Sequence, residues 1–169
     1  MSVSFQILPA IAEDERRLLF DWAPDVFQGE HYGIHWRPAE FHIVGYVDGQ
    51  PATHVGVVSH RVQVGAANPL VGGIGGVVTP QQFQKQGLAR KCLKRAEEFI
   101  RSDLAVEFGF LFCQERLVDF YQASGWRKIN DVVWIEQPTG RVESPVGFMV
   151  REFDASWPDG PVALHSWPW

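Results

Sequence analysis

Apolar and polar positions alternate over residues 4–8 (Ser4-Phe5-Gln6-Ile7-Leu8), the two-residue period of a strand. From Asp14 the spacing becomes helical, with Leu18, Leu19 and Trp22 on one face, and Pro24 ends it. Residues 25–40 (DVFQGEHYGIHWRPAE) hold neither period and predict a long loop or a broken second helix. Residues 42–48 and 52–64 are strand-like, joined by Asp48-Gly49, a pair suited to a tight hairpin turn. In the second run Thr53, Val55 and Val57 share one face, and His54, Val58, His60, Val62 and Val64 share the other. Another extended run, 70–79, carries Gly72, Gly73, Gly75 and Gly76, pairs that mark a bulge or a close backbone approach.

Pro80 stops that run, and a long helix is predicted from about residue 86 to residue 101. Its apolar stripe is Leu88, Cys92, Leu93, Ala96, Phe99 and Ile100. Residues 106–113 (VEFGFLFC) are short and nearly all apolar, as a strand buried on both faces would be. A helix over 116–124 is closed by Gly125, where a left-handed backbone is needed. Strands at 131–137 and 146–153 follow, then a tail with Trp157, Trp167 and Trp169. The order of elements predicts a mixed α/β fold.

Composition narrows this picture. The 169 residues match one ordinary domain of roughly 150, so a single unit over 1–169 is expected. With 46% hydrophobic and 21% charged residues the chain is globular in composition. Fifteen Lys and Arg against twenty Asp and Glu give a net charge of −5, which argues against nucleic acid and mildly favours a small cationic substrate. Cys92 and Cys113 cannot build a disulfide framework. The opening residues lack a signal-peptide pattern and no apolar run approaches the roughly 20 residues of a membrane span. A cytoplasmic protein without a membrane partner is the expectation.

The stretch that carries chemistry is Val77-Val78-Thr79-Pro80-Gln81-Gln82-Phe83-Gln84-Lys85-Gln86-Gly87-Leu88-Ala89-Arg90. A strand runs through a turn into a helix start, where unpaired N–H groups and the positive end of the helix dipole converge, the makings of an anion site. Gly87 and Ala89 would let a diphosphate approach the backbone. Neither GxGxxG nor GKS/GKT fits these residues. His31 and His35 have zinc-like spacing, but Gly33 interrupts any helix and a third ligand is not evident, so no metal is expected.

Gln84-x-x-Gly87-x-Ala89 after Val77-Val78-Thr79-Pro80 resembles the (Arg/Gln)-x-x-Gly-x-(Gly/Ala) signature of the GNAT N-acetyltransferase superfamily. Phe110-Leu111-Phe112-Cys113-Gln114 is similar to the family's fifth strand, with Gln114 where many members carry Asn. Asp119-Phe120-Tyr121-Gln122-Ala123-Ser124-Gly125-Trp126 resembles its Tyr-x-x-x-Gly-(Phe/Trp) helix end. The flanks are most similar to aminoglycoside 2′-N-acetyltransferases, through Val26-Phe27-Gln28-Gly29-Glu30, Trp36 and a Trp- and Pro-rich tail, and more faintly to the nodulation N-acyltransferase. Gly75 stands where the former carry a carboxylate, so their substrate preference does not transfer directly.

The resemblance implies a mixed, mostly antiparallel sheet of about seven strands with helices on both faces. It also implies direct acetyl transfer from acetyl-CoA to a primary amine of a small substrate, aminoglycoside-like or polyamine-like. The pantetheine would lie along Val77, Val78 and Thr79, with the N–H of Val77 or Val78 supporting the developing oxyanion. The diphosphate would rest on the N–H groups of Gln84, Lys85, Gln86, Gly87, Leu88, Ala89 and Arg90, with Lys85 and Arg90 adding charge, and Gln114 would lie beside the cofactor. Tyr121 is the candidate to protonate the departing thiolate. Glu30, His35, Glu115 and the Trp169 α-carboxylate are candidates to meet the ammonium group, and a water relay to His54 or His60 is weighed against plain histidines on an exposed sheet face. Two alternatives stand beside this reading: a non-catalytic acyl-CoA-binding module, and an N-acyltransferase with a longer donor, given the space that the glycines at 72–76 would leave. Related folds pair through late strands, so a homodimer is expected.

Overall fold

The computed structural model describes residues 1–27 and 32–169. In chain order the elements begin β1 (Val3–Leu8), α1 (Glu13–Phe20), β2 (Phe41–Val47), β3 (Gln50–Arg61), β4 (Gln63–Val64) and β5 (Leu70–Val78). They continue with α2 (Leu88–Glu98), β6 (Phe108–Cys113), α3 (Val118–Gln122), β7 (Arg127–Ile129) and β8 (Val133–Gln137). The last are β9 (Gly140–Glu143), β10 (Gly147–Glu152) and β11 (Val162–Ala163). Seven strands form one sheet in the order β1-β2-β3-β5-β6-β10-β7, antiparallel except for β5 against β6. This is the mixed α/β fold expected. A second sheet, β4-β11-β8-β9, was not foreseen.

Local chemistry explains the main connections. Asp48 and Gly49 both take positive φ, +48° and +82°, the backbone of a tight turn whose twist matches the strands it joins. Gly125 ends the α3 segment at φ +91°, and the Trp126 N–H closes back onto the Tyr121 carbonyl at 3.1 Å.

The two faces of the large sheet are covered differently. On one, Cys92, Leu93, Ala96, Phe99 and Ile100 pack on Ile43, Val55, Val57, Ile74, Leu111 and Met149. The other face is shared. At one end Leu19 of α1 covers Val44, Tyr46 and Val78, and at the other the second sheet and the tail cover Val58, Val71, Phe110 and Phe148.

Several expectations shift. The first helix buries Leu19 while Leu18 is 54% exposed. It ends before Trp22, whose Nε1 donates to the Leu19 carbonyl at 2.9 Å and so satisfies a group the helix end leaves open. Over the predicted loop or second helix at 25–40, the described residues hold no helix. The 52–64 strand breaks at Val62, and its last residues join the second sheet. The long helix is α-helical over Leu88–Glu98 and finishes in a π-type turn, Phe99–Asp103. The 116–124 helix is a 3-10 turn, Glu115–Leu117, followed by α3. Among the described residues no helix is long and apolar enough to cross a membrane.

Candidate functional site

The centre of the molecule is the place where β5 leaves its neighbours. Against β6 it is paired in parallel from Val71↔Phe108 to Ile74↔Leu111, and the pairing stops there although both strands continue. Against β3 the register shifts: Gly56 faces Gly75 and His54 faces Val78. One β3 residue, Val55, therefore spans two on β5, Gly76 and Val77, which is a β-bulge. Gly76 sits at φ +57°, a conformation that favours glycine, and it is exposed.

A histidine pair holds this bulge. His54 Nδ1 lies 2.7 Å from the Gly76 carbonyl oxygen, and because a carbonyl accepts, Nδ1 carries the proton. His54 Nε2 then accepts from His42 Nδ1 at 2.9 Å. Burial lowers the His54 pKa to about 4 and also lowers that of His42, so both rings are neutral at pH 7. His54 is 2% exposed, beneath the edge of Phe20 at 5.0 Å. The exposed sheet face expected for it is closed by α1.

Downstream, the chain turns tightly toward α2. Thr79 Oγ1 lies 2.8 Å from Thr53 Oγ1, and Gln84 Nε2 donates to the Thr79 carbonyl at 2.9 Å, which folds the loop back on the end of β5. A 3-10 turn, Gln81–Phe83, follows. Lys85 takes φ +60° and Gly87 φ +75°, and a Cβ at Gly87 would meet nothing within 4 Å. Gly87 is the N-cap, and the Lys91 N–H donates to its carbonyl at 3.1 Å, so the N–H groups of Leu88, Ala89 and Arg90 precede the first helical bond. This open start, free of a capping side chain, fits a diphosphate: the donors face an approach that no Cβ fills. The Arg90 guanidinium lies 5.8 Å from the Phe120 ring centre, which partly engages the charge expected for a phosphate.

Tyr121 is 5% exposed in the α2-side core, edge-on to Phe120 at 5.0 Å and Trp126 at 6.2 Å. Gln114 caps the turn after β6 and accepts from Arg116 Nε at 2.7 Å. His35 is tied to the second sheet: its N–H donates to Gln137 Oε1 at 2.7 Å, and its ring packs at 5.2 Å from Trp167. Glu115 pairs with Lys128. Glu30 and His31 lie outside the described residues. Among the described residues there is no cluster of three His, Cys, Asp or Glu side chains.

The tail reaches the cleft. Trp169 Nε1 donates to the Phe110 carbonyl of β6 at 3.2 Å, while its main-chain carbon lies 2.7 Å from where a Cβ at Gly75 would stand. His60 Nε2 donates to the Leu164 carbonyl at 2.8 Å, leaving Nδ1 to accept from Arg37 Nη1 at 3.3 Å, and the Arg37 N–H donates to the Pro168 carbonyl at 2.7 Å. His60 therefore pins the tail. The space expected above the glycines is filled: a Cβ at Gly72 would stand 2.6 Å from Ile100 Cγ1, and one at Gly73 would overlap the Trp169 indole and stand 2.6 Å from Val58 Cγ2. The residues that sequence reasoning undervalued are His54 and His42, because alternation shows which face they occupy and not what covers that face.

The chain is similar over 98% of its length to a GNAT family N-acetyltransferase of Escherichia coli in complex with CoA, at 17% identity, 92% coverage of that protein and a TM-score of 0.60. It is similar over 96% to a GNAT family acetyltransferase of Brucella melitensis in complex with acetyl-CoA, with 16% identity, 96% of that chain covered and a TM-score of 0.58. An acyl-CoA N-acyltransferase of Pseudomonas aeruginosa shares 18% identity over 89% of this chain and 99% of its own, at a TM-score of 0.60. At these identities the likeness is one of fold. No curated protein matches the sequence. A family model, "Nodulation protein A (NodA)", matches residues 21–163, and so favours the fainter of the two resemblances read from the flanks. With most of its length inside that model and a GNAT fold throughout, the chain belongs to the NodA family.

Proposed function

We propose that this protein is an N-acyltransferase that moves an acetyl group from acetyl-CoA to a primary amine of a small, cationic substrate. The observation that carries the reading is the continuous path from the β5 bulge, through the Thr79–Gln84 turn, to the open start of α2 at Gly87. Membership of the NodA family, and the CoA and acetyl-CoA complexes among proteins of this fold, support it.

Acetyl-CoA would supply an activated acyl thioester. The Gln84 N–H, expected to be among the donors, is taken by the Gln81 carbonyl at 3.2 Å, so the N–H groups of residues 85–90, with Lys85, would hold its diphosphate, and Val77, Val78 and Thr79 its pantetheine arm. The main-chain N–H at Val77 or Val78 stabilises negative charge on the acyl oxygen. Tyr121 delivers a proton to the leaving thiolate. The acceptor must shed a proton first, since a free alkylammonium has a pKa near about 10.4, and Glu30, His35 and Trp169 are the proposed partners of that group.

Calorimetry with acetyl-CoA, followed by thiol release across a panel of amines, tests the reading. Tyr121→Phe is expected to lower kcat by about a hundredfold while acetyl-CoA affinity stays within about twofold. Well-folded protein that binds no CoA overturns the proposal. Tight acetyl-CoA binding without turnover on any amine would make the chain an acyl-CoA-binding module instead.

A further inference from the structure

The direction of the proposed cofactor path points at one side chain. From the start of α2 the path runs back along β5, past Thr79, Val78 and Val77 to the bulge at Gly76. The residues that follow in that direction are Gly75, Ile74 and Gly73. Gly75 and Gly73 are where Trp169 lies, with its main chain on the first and its indole on the second. Its Nε1–H donates to the Phe110 carbonyl, so the ring lies across β5 and β6 at the Gly73↔Phe110 pair, one step before their pairing ends at Ile74↔Leu111. Phe110 and Phe112 surround it, with ring centres 5.5 and 6.1 Å away, and Trp36 stands 6.0 Å beyond Phe112. The indole is 6% exposed. The closed end of the wedge, where the strands begin to part, is thus lined by aromatic rings and covered by the indole.

We infer that Trp169 sets the length of the acyl chain the protein accepts, acting as a plug in the gap between β5 and β6 that a longer chain would otherwise enter. The inference rests on the acyl-CoA reading above. An acetyl group ends before the plug, whereas a medium acyl chain needs the volume the indole holds. Two features show a place built for this plug. Gly73 is required by it, because any Cβ there would overlap the indole. The tail is held by three separate ties, to Phe110, to His60 and to the Arg37 N–H, which keep the ring from swinging out.

The test is calorimetric and does not depend on turnover. Dissociation constants for CoA, acetyl-CoA, butyryl-CoA and octanoyl-CoA are measured for the native protein, for Trp169→Ala and for Trp169→Leu. The leucine variant keeps part of the apolar fill, and circular dichroism confirms folding for each. Native protein should bind octanoyl-CoA no more tightly than acetyl-CoA. In the variants the preference should move toward octanoyl-CoA by at least about tenfold, since each methylene buried favours binding by about fourfold. Affinity for CoA itself should stay within about twofold. Retained CoA binding with an unchanged chain-length preference overturns this inference alone. Failure of the folded native protein to bind CoA overturns the acyl-CoA reading and this inference with it.

Discussion

Along residues 71–74 of β5 every residue is buried, and the strand is paired with β3 on one side and β6 on the other. Along residues 75–78 the β6 partner is gone, the β3 register slips, and Gly76 is exposed with its carbonyl held by a histidine. Both halves contain glycines for unrelated reasons. Gly72 and Gly73 are there because a helix and an indole come too close for a Cβ. Gly76 is there because its backbone is left-handed, and a Cβ would be 3.5 Å from the His54 ring, an ordinary contact. Packing shapes the first half and reaches Gly75 through the Trp169 main chain, whereas conformation shapes the bulge at Gly76, so the same residue type serves close approach at 72, 73 and 75 and a left-handed backbone at 76.

Substitutions can break that contrast. Gly72→Val forces bulk into Ile100 and is expected to cost about 3 kcal/mol, read as a lower midpoint in urea, with CoA affinity unchanged in the protein that remains folded. An equal loss of CoA affinity would show that the two halves are not separable.

The histidine beneath the bulge gives the next effect. His54 has a folded pKa of about 4 against 6.5 for the free side chain, so below pH 6.5 the unfolded chain takes up a proton that the folded chain refuses. Stability should therefore fall as pH drops from 6.5 toward 4, by roughly 3 kcal/mol in total. His42, also lowered by burial, acts in the same sense, whereas Glu97, raised by burial, acts in the opposite one. The comparison of native protein with His54→Phe isolates the histidine: urea midpoints across this range should show a shallower pH slope in the variant, and parallel slopes would refute the assignment.

Gly76→Ala should have the smallest effect on folding, about 1–2 kcal/mol from the left-handed backbone. Its effect on acetyl-CoA affinity should be the larger one, at least about tenfold, because the bulge re-forms differently. Calorimetry showing native affinity would separate the bulge from the cofactor path.

Much of this was legible in the sequence. Most strands of the large sheet, the Asp48-Gly49 turn, the glycine closing α3 and the strand–turn–helix course of residues 77–90 follow from local rules of period and backbone freedom, and the pairing of those strands into one sheet follows from the family resemblance. The second sheet was not, because β4 and β11 are two residues long and gain their identity from pairing with strands far along the chain. Leu18 and Leu19 are neighbours with similar helical credentials, and tertiary contact decides which is buried. The glycine pairs signal a close approach, found at Gly72, Gly73 and Gly75, and a bulge, found at Gly76, whereas the room expected above them is taken at the first three. The occupant of that room, Trp169, comes from 96 positions beyond Gly73, and spacing carries no signal of it.

The tie between Trp169 and the Phe110 carbonyl has a consequence for how the molecule comes together. Residues separated by 59 positions must meet before the mouth between β5 and β6 takes its final form. Contacts of such separation are slow to close, because the intervening chain must be ordered first. The mouth of the cleft therefore depends on a contact more distant in sequence than the β5–β6 pairing it covers, in which Val71 meets Phe108.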